Sequence, residues 1–148
     1  MDLLLWRHAD AEPGARDLER DLTAKGRKQA KRVADWLREW LPRETRVLAS
    51  PANRARQTAE ALTKSFATDA ALAPGSGADQ VLAAAGWPDE DGAVLIVGHQ
   101  PTLGRAAALA LTGTPADWSI RKASVWWLSH REQDGKVLLR AVIAPDLL

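Results

Sequence analysis

Three short, uninterrupted apolar runs constrain this chain most: Leu3 to Trp6, Val47 to Ala49 and Ala93 to Val97. A strand with one wet face alternates apolar and polar residues, whereas a strand covered on both faces does not. Runs of this kind therefore predict central strands of a parallel sheet. Helical patterns fill the gaps between them. Ala30, Val33, Ala34, Leu37, Trp40 and Leu41 recur at helical spacing after Thr23, which predicts a helix capped by Thr23, ended by Pro42 and burying those residues. Ser50-Pro51 predicts a cap followed by proline at the first helical position, with the helix running to about Ser65 and burying Ala55, Thr58, Ala59 and Leu62. Thr68 to Leu72 reads as a weak edge strand, Pro74 to Gly77 as a turn and Ala78 to Ala85 as a short helix. Pro101 sits just inside a further helix that runs to about Leu111 and stops at Gly113. Ser124 to Leu128 and Val137 to Ile143, joined through Asp134-Gly135, predict a hairpin. Strands separated by helices predict an α/β fold. The expectation is a three-layer α/β/α sandwich with a mostly parallel central sheet and a C-terminal antiparallel hairpin, forming a single domain over residues 1–148.

Composition narrows the function classes. Hydrophobic residues make up 46% and charged residues 26%, the balance of a soluble globule rather than a disordered chain. Lys+Arg total 20 against 19 Asp+Glu, so a net charge of +1 argues against a general nucleic-acid or membrane-surface binder. Any positive field must be local. The cysteine count is zero, which removes disulfides, thiol nucleophiles and Cys-ligated metals. The apolar run at Leu3 is too short for a signal peptide, and no stretch approaches the roughly 18 residues of a membrane span. The expected location is the cytoplasm.

In an open α/β sheet, ligands bind beyond the carboxyl ends of the parallel strands. Arg7-His8 follows the first run, Ser50-Pro51-Ala52-Asn53-Arg54 the second, and Gly98-His99-Gln100-Pro101 the third. If the strands are parallel, one sheet edge collects His8, His99, Arg7 and Arg54, together with two helix N-termini that favour anions. Guanidinium forks match phosphoryl oxygens bidentately. An imidazole among cations stays neutral and keeps a lone pair for nucleophilic attack. The pattern predicts phosphoryl transfer through a phosphohistidine. Taken singly, each piece has a plainer reading: Arg7 as a strand-end charge, His8 as a loop residue, His99 as a surface imidazole beside a turn glycine, Arg54 as a solvated helix residue.

Arg7-His8-Ala9, Ser50-Pro51-x-x-Arg54-x-x-Gln57-Thr58-Ala59 and Gly98-His99-Gln100-Pro101, in this order, resemble the histidine phosphatase superfamily, or phosphoglycerate mutase-like fold. The Arg-His-Ala form, the small size and the segment Arg20-Asp21-Leu22-Thr23-x-x-Gly26 resemble its SixA-type phosphohistidine phosphatases. The resemblance covers nearly the whole chain. It implies that His8 is the nucleophile, that Arg7 and Arg54 bind phosphoryl oxygens, and that His99 adds a hydrogen bond to the phosphoryl group. It further implies that Ser50, Gln57 and Thr58 give structural support, with Asn53 near the phosphate and Arg20 near the pocket rim. No cofactor is implied.

Larger members of that family carry a carboxylic acid that protonates the leaving oxygen. Asp79 is the one acid of the short segment Leu72 to Asp79, and it reads equally as a helix N-terminal residue. Asp10 and Glu12 are the other candidates, read as solvated loop acids. A site without a strong acid favours P–N over P–O cleavage, because a protonated imidazole leaves readily and an alkoxide does not. The expected enzyme is a metal-independent phosphatase acting on a phosphohistidine-bearing protein such as a phosphotransfer domain. The alternatives are a broad small-molecule phosphomonoesterase and a non-catalytic phosphate-recognition module.

Other features carry plainer expectations. The basic helix face Lys25, Arg27, Lys28, Lys31, Arg32 and Arg38 is read as solvated, with docking of an acidic partner as the rival reading. Trp36 and Trp40 are expected to be buried, Trp126 and Trp127 to face opposite sides of the sheet, and His130 to lie on the surface. His8-x-Asp10 with His99 could supply three metal ligands, but Arg7 and Arg54 beside them would repel a divalent cation.

Overall fold

The computed structural model describes residues 1–148. Six strands, β1 (Asp2–Arg7), β2 (Arg46–Ala49), β3 (Ala67–Thr68), β4 (Ala93–Gly98), β5 (Val125–His130) and β6 (Val137–Ile143), form one sheet in the order β3-β2-β4-β1-β5-β6. The first four in that order are mutually parallel, β5 runs antiparallel to β1, and β6 pairs antiparallel with β5. The four helices are α1 (Ala24–Trp40), α2 (Asn53–Glu60), α3 (Ala78–Ala85) and α4 (Thr102–Thr112). No helix is long and apolar enough to cross a membrane.

Alternation along the buried strands builds two cores. Leu3, Leu5, Val94, Ile96 and Leu128 pack with α3 and α4 residues such as Val81, Leu82, Leu103 and Ala107. Leu4, Trp6, Leu95, Val97 and Trp127 pack with α1 and α2 residues such as Val33, Leu37, Ala55 and Ala59. Helices thus cover both faces, which is why the strand sequences show no polar alternation. Trp126 joins the first core and Trp127 the second, on opposite faces as expected.

The same two faces explain the location of the site. β1 and β4 are adjacent and parallel, with Arg7 paired to Gly98. The chain leaves β1 toward α1 on one face and leaves β4 toward α4 on the other. Their carboxyl ends therefore open a crevice at a topological switch point. The next residue of each strand is a histidine, and the His8 amide donates to the Gly98 carbonyl at 3.0 Å.

Local departures from the sequence pattern have identifiable causes. Thr23 caps α1, its hydroxyl accepting from the Gly26 amide at 2.9 Å. Gly26 itself lies against the Asp10 backbone, where a Cβ would collide with the carbonyl oxygen. Ser50 does not cap α2, which starts at Asn53 behind Ala52, because the Ser50 hydroxyl is engaged by the Ala52 amide and by His99. That helix also stops at Glu60, where Arg38 donates to the exposed Ala61 and Leu62 carbonyls. Of the expected strand at Thr68–Leu72 only Thr68 pairs in the sheet, as the end of β3, since the Asp69 carboxylate accepts from the Ala71 amide and turns the chain into a 3-10 turn. Pro101 precedes α4 rather than lying inside it. Trp40 is 60% exposed, contrary to expectation: Trp36 packs edge-on to Trp127, and Trp40 lies against Trp36 instead of the sheet. His130 is half-buried against Trp87, with a 5.9 Å ring separation, rather than free on the surface.

Candidate active site

His8 and His99 emerge side by side from β1 and β4, with ring centroids 5.1 Å apart. Arg54 reaches them from the first turn of α2, its Nε donating to His8 Nε2 at 3.3 Å. All three are nearly buried. Arg7, the last residue of β1, anchors one guanidinium nitrogen on the Ile120 carbonyl at 3.0 Å while its Nε is buried without a partner. The structure brings His8, His99 and Arg54 into contact, while Arg7 stands next to His8 at the end of β1 and acts on both histidines by its charge.

Hydrogen bonds assign the tautomer of His8. His8 Nδ1 lies 2.7 Å from the Ala9 carbonyl, an acceptor only, so Nδ1 carries the proton. Nε2 is left with its lone pair, in agreement with its accepting from Arg54. His99 Nε2 lies 2.7 Å from the Ser50 hydroxyl, and its Nδ1 is buried with no partner. Burial lowers the His8 pKa to about 4, with the charges of Arg54, Arg7 and Arg20 adding to it and the Ala9 carbonyl opposing it. Burial likewise lowers His99 to about 3, assisted by His8 and the two arginines, with Asp17 opposing. Both imidazoles are neutral at physiological pH.

This arrangement sets a pH dependence. A folded-state pKa below the unfolded value of 6.5 means that the unfolded chain takes up protons first. Stability from these rings is full above pH 6.5 and falls as the pH drops through about 4 for His8 and about 3 for His99. Denaturant titrations at pH 7.5 and pH 5 should show that loss, and His99→Asn should reduce it. Equal stability at both values would contradict the assignment of neutral buried rings.

Supporting residues hold the loop that follows β1. Thr58 accepts from the Ala9 amide at 3.1 Å and donates to the Arg54 carbonyl at 2.7 Å, linking the loop that follows His8 to the helix that carries Arg54. Gln57 accepts from the Leu22 amide and donates to Asp21. Asn53 turns away from the histidines to the Glu19 carbonyl and Asp21. Arg20 binds the Glu12 carbonyl and Asp17 at the rim.

None of the three candidate acids has a contact with the histidines. Asp10 is tied to Lys122 at 2.8 Å and to Thr23 at 2.7 Å, and those bonds hold its pKa below the usual carboxylate range. Both of its carboxylate oxygens are thus engaged, and no group of three or more His, Asp or Glu side chains is placed to hold a metal ion. Glu12 is engaged in the rim through its backbone, and Asp79 lies in the first turn of α3 beside Pro101, Thr102 and Arg105.

The acid that does reach the site is Asp17, which carries no motif. It stands in a 3-10 turn, Asp17–Glu19, of the loop between β1 and α1. Arg54 donates to its carbonyl at 2.8 Å and to its carboxylate at 3.1 Å, so Asp17 occupies the guanidinium fork. Arg20, then Arg54, keeps this carboxyl ionised by lowering its pKa. An incoming oxyanion must displace it. Asp17→Asn should therefore tighten inorganic phosphate binding, by about two- to fivefold for a pair this exposed. Unchanged or weaker phosphate affinity in a titration would show that Asp17 does not compete.

Comparison with known proteins agrees with this geometry. Residues 3–75 match the model of the histidine phosphatase superfamily, branch 1. A protein from Nakamurella multipartitia, assigned as the phosphohistidine phosphatase SixA, is 30% identical, and the alignment covers 97% of this chain and 95% of that one at a TM-score of 0.77. The chain belongs to the histidine phosphatase superfamily. Within the superfamily it falls in the SixA-type branch. The protein histidine phosphatase SixA, solved in complex with tungstate, superposes at a TM-score of 0.82 with 26% identity over 99% of both chains. An uncharacterized protein of Picosynechococcus is 36% identical over 84% of this chain and 82% of its own length. This histidine phosphatase is thus a hydrolase of the phosphatase class.

Proposed function

We propose that this histidine phosphatase removes phosphate from phosphohistidine on a protein, through a covalent intermediate on His8. The observation that carries the reading is the state of His8. Its Nδ1 proton is held by Ala9, its pKa is about 4, and Nε2 presents a lone pair beside the Arg54 guanidinium. The likeness to SixA with tungstate, a tetrahedral oxyanion, supports the same placement of a phosphoryl group.

In the first step His8 Nε2 forms a bond to phosphorus as the bond to the leaving atom breaks in line. Arg54, released from Asp17, and Arg7 take the equatorial oxygens. His99 Nδ1 is the remaining buried donor: with the Ser50 hydroxyl donating to Nε2, Nδ1 carries a proton for the phosphoryl group. In the second step water attacks the phosphohistidine, releasing inorganic phosphate and restoring neutral His8.

The acids decide the substrate class. Asp10 and Asp17 are both held ionised, and neither Asp79 nor Glu12 touches the quartet. No carboxylic acid is placed to protonate an alkoxide. A phosphohistidine protonated on its other ring nitrogen departs as neutral imidazole and needs none. The kinetic test compares kcat/KM for a chemically phosphorylated phosphotransfer domain with that for an alkyl phosphate. Faster turnover of the phosphoprotein is expected; faster turnover of the alkyl phosphate would replace this reading with that of a general phosphomonoesterase.

A further inference from the structure

A cleft of about 710 Å³ is not built around the two histidines. It lies between α1 and the segment that precedes β5, and it meets the active site through one residue, Arg7. Its cations are Arg7, Lys25, Lys28, Arg32, Arg121 and Lys122. The chain as a whole carries +1, so this is a strong local concentration of charge. Compensation is incomplete. Lys122 pairs with Asp10 at 2.8 Å and Arg121 reaches Asp146 at 3.5 Å, whereas Lys25, Lys28 and Arg32 take part in no ion pair. Residues 25, 28 and 32 share one face of α1 by their spacing. Two residues of the lining, Arg7 and Ser124, also hold buried polar atoms without partners, Arg7 Nε and the Ser124 hydroxyl.

The lining selects among possible occupants. No hydrophobic residue contributes to it. Protein interfaces centre on apolar and aromatic side chains and are depleted in lysine, so this lining is unlike a protein-docking core. The volume lies in the range of small-molecule sites. A singly charged ligand would leave most of the cations uncompensated, while each phosphate of an oligophosphate accepts several of these donors. We propose that the cleft binds a small molecule carrying two or more phosphate groups, and that Arg7, shared with the phosphoryl site, couples the two. The coupling is reciprocal: an anion in either place weakens binding in the other.

Inorganic tripolyphosphate is the probe, titrated calorimetrically into the full chain with and without tungstate at fixed ionic strength. One tripolyphosphate per chain is expected, and tungstate should weaken it by a limited factor that levels off. Lys28→Glu with Arg32→Glu should weaken it at least about tenfold, with the melting temperature and turnover of a small phosphoramidate unchanged. The milder Lys28→Gln with Arg32→Gln should give an intermediate loss, which guards against misfolding of the charge-reversed form. Saturable, partial inhibition of phosphoramidate turnover by tripolyphosphate is expected; phosphate release from tripolyphosphate, which needs one end of it in the phosphoryl site, would overturn a cleft occupied independently. Displacement by tungstate without limit, equal binding by the double variants, or no binding would overturn the proposal. So would a cleft that affects only turnover of an acidic phosphoprotein. Binding is read here without reference to the natural substrate, so a failure of the phosphohistidine reading leaves this result intact.

Discussion

Replacing His8 with Ala should lower turnover by roughly 10^4- to 10^6-fold, the scale of losing a covalent nucleophile. Two features make the loss this large. The ring is the one group in the crevice with both a lone pair and a fixed tautomer, and the neighbouring His99 is held at Ser50. No carboxylate faces the crevice unpaired to serve instead, because Asp17 is bound to Arg20 and Arg54. Oxyanion binding should survive, since Arg7, Arg54 and His99 remain. Tungstate affinity of the variant within a few-fold of the parent, with turnover lost, would separate nucleophile from binder. Turnover retained within tenfold would eliminate the covalent route.

Arg54→Ala should cost about 10^2- to 10^3-fold in kcat/KM, the effect of removing a pre-positioned donor from the transition state. Arg54 has three duties. It lowers the His8 pKa by its charge, donates to Nε2, and presents the fork that Asp17 occupies in the absence of an anion. Arg54→Lys should recover only part of the loss, because an ammonium cannot reproduce the planar two-point contact. The variant must be compared at equal folded fraction, since Arg54 is buried and also ties the loop carrying Asp17. A loss confined to KM would mean that Arg54 binds ground state and transition state alike. Full rescue by lysine would mean that charge alone matters.

The architecture was readable because burial on both sheet faces leaves a direct trace in composition. Leu3 to Trp6 and Ala93 to Val97 contain no polar residue, and both strands lie at the centre of the sheet with helices on either side. Once β1 and β4 are parallel neighbours, the residues immediately after them must meet, so the pairing of His8 and His99 follows from order alone. What escaped the sequence depends on side-chain choices made in three dimensions. Ser50 has the chemistry of a helix cap but spends its hydroxyl on His99. Trp40 continues the apolar stripe of α1, yet Trp36 already covers Trp127. Asp17 lies in an irregular loop with no periodicity to betray its direction, and only the arginine it binds gives it meaning. The backbone around residues 120–123 was equally hidden. Ala123 sits at φ 60°, its carbonyl accepting from the buried Trp6 indole and its amide donating to the His8 carbonyl. That turn brings the Ile120 carbonyl to Arg7.

The most direct measurement traps the enzyme during turnover of a 32P-labelled phosphohistidine protein. The quench is alkaline, because a P–N bond hydrolyses in acid. The account predicts a transient label on the enzyme, stable in base and lost in acid, that maps to His8 and is absent from His8→Ala. Turnover without a labelled enzyme, or a label on any other side chain, would contradict it.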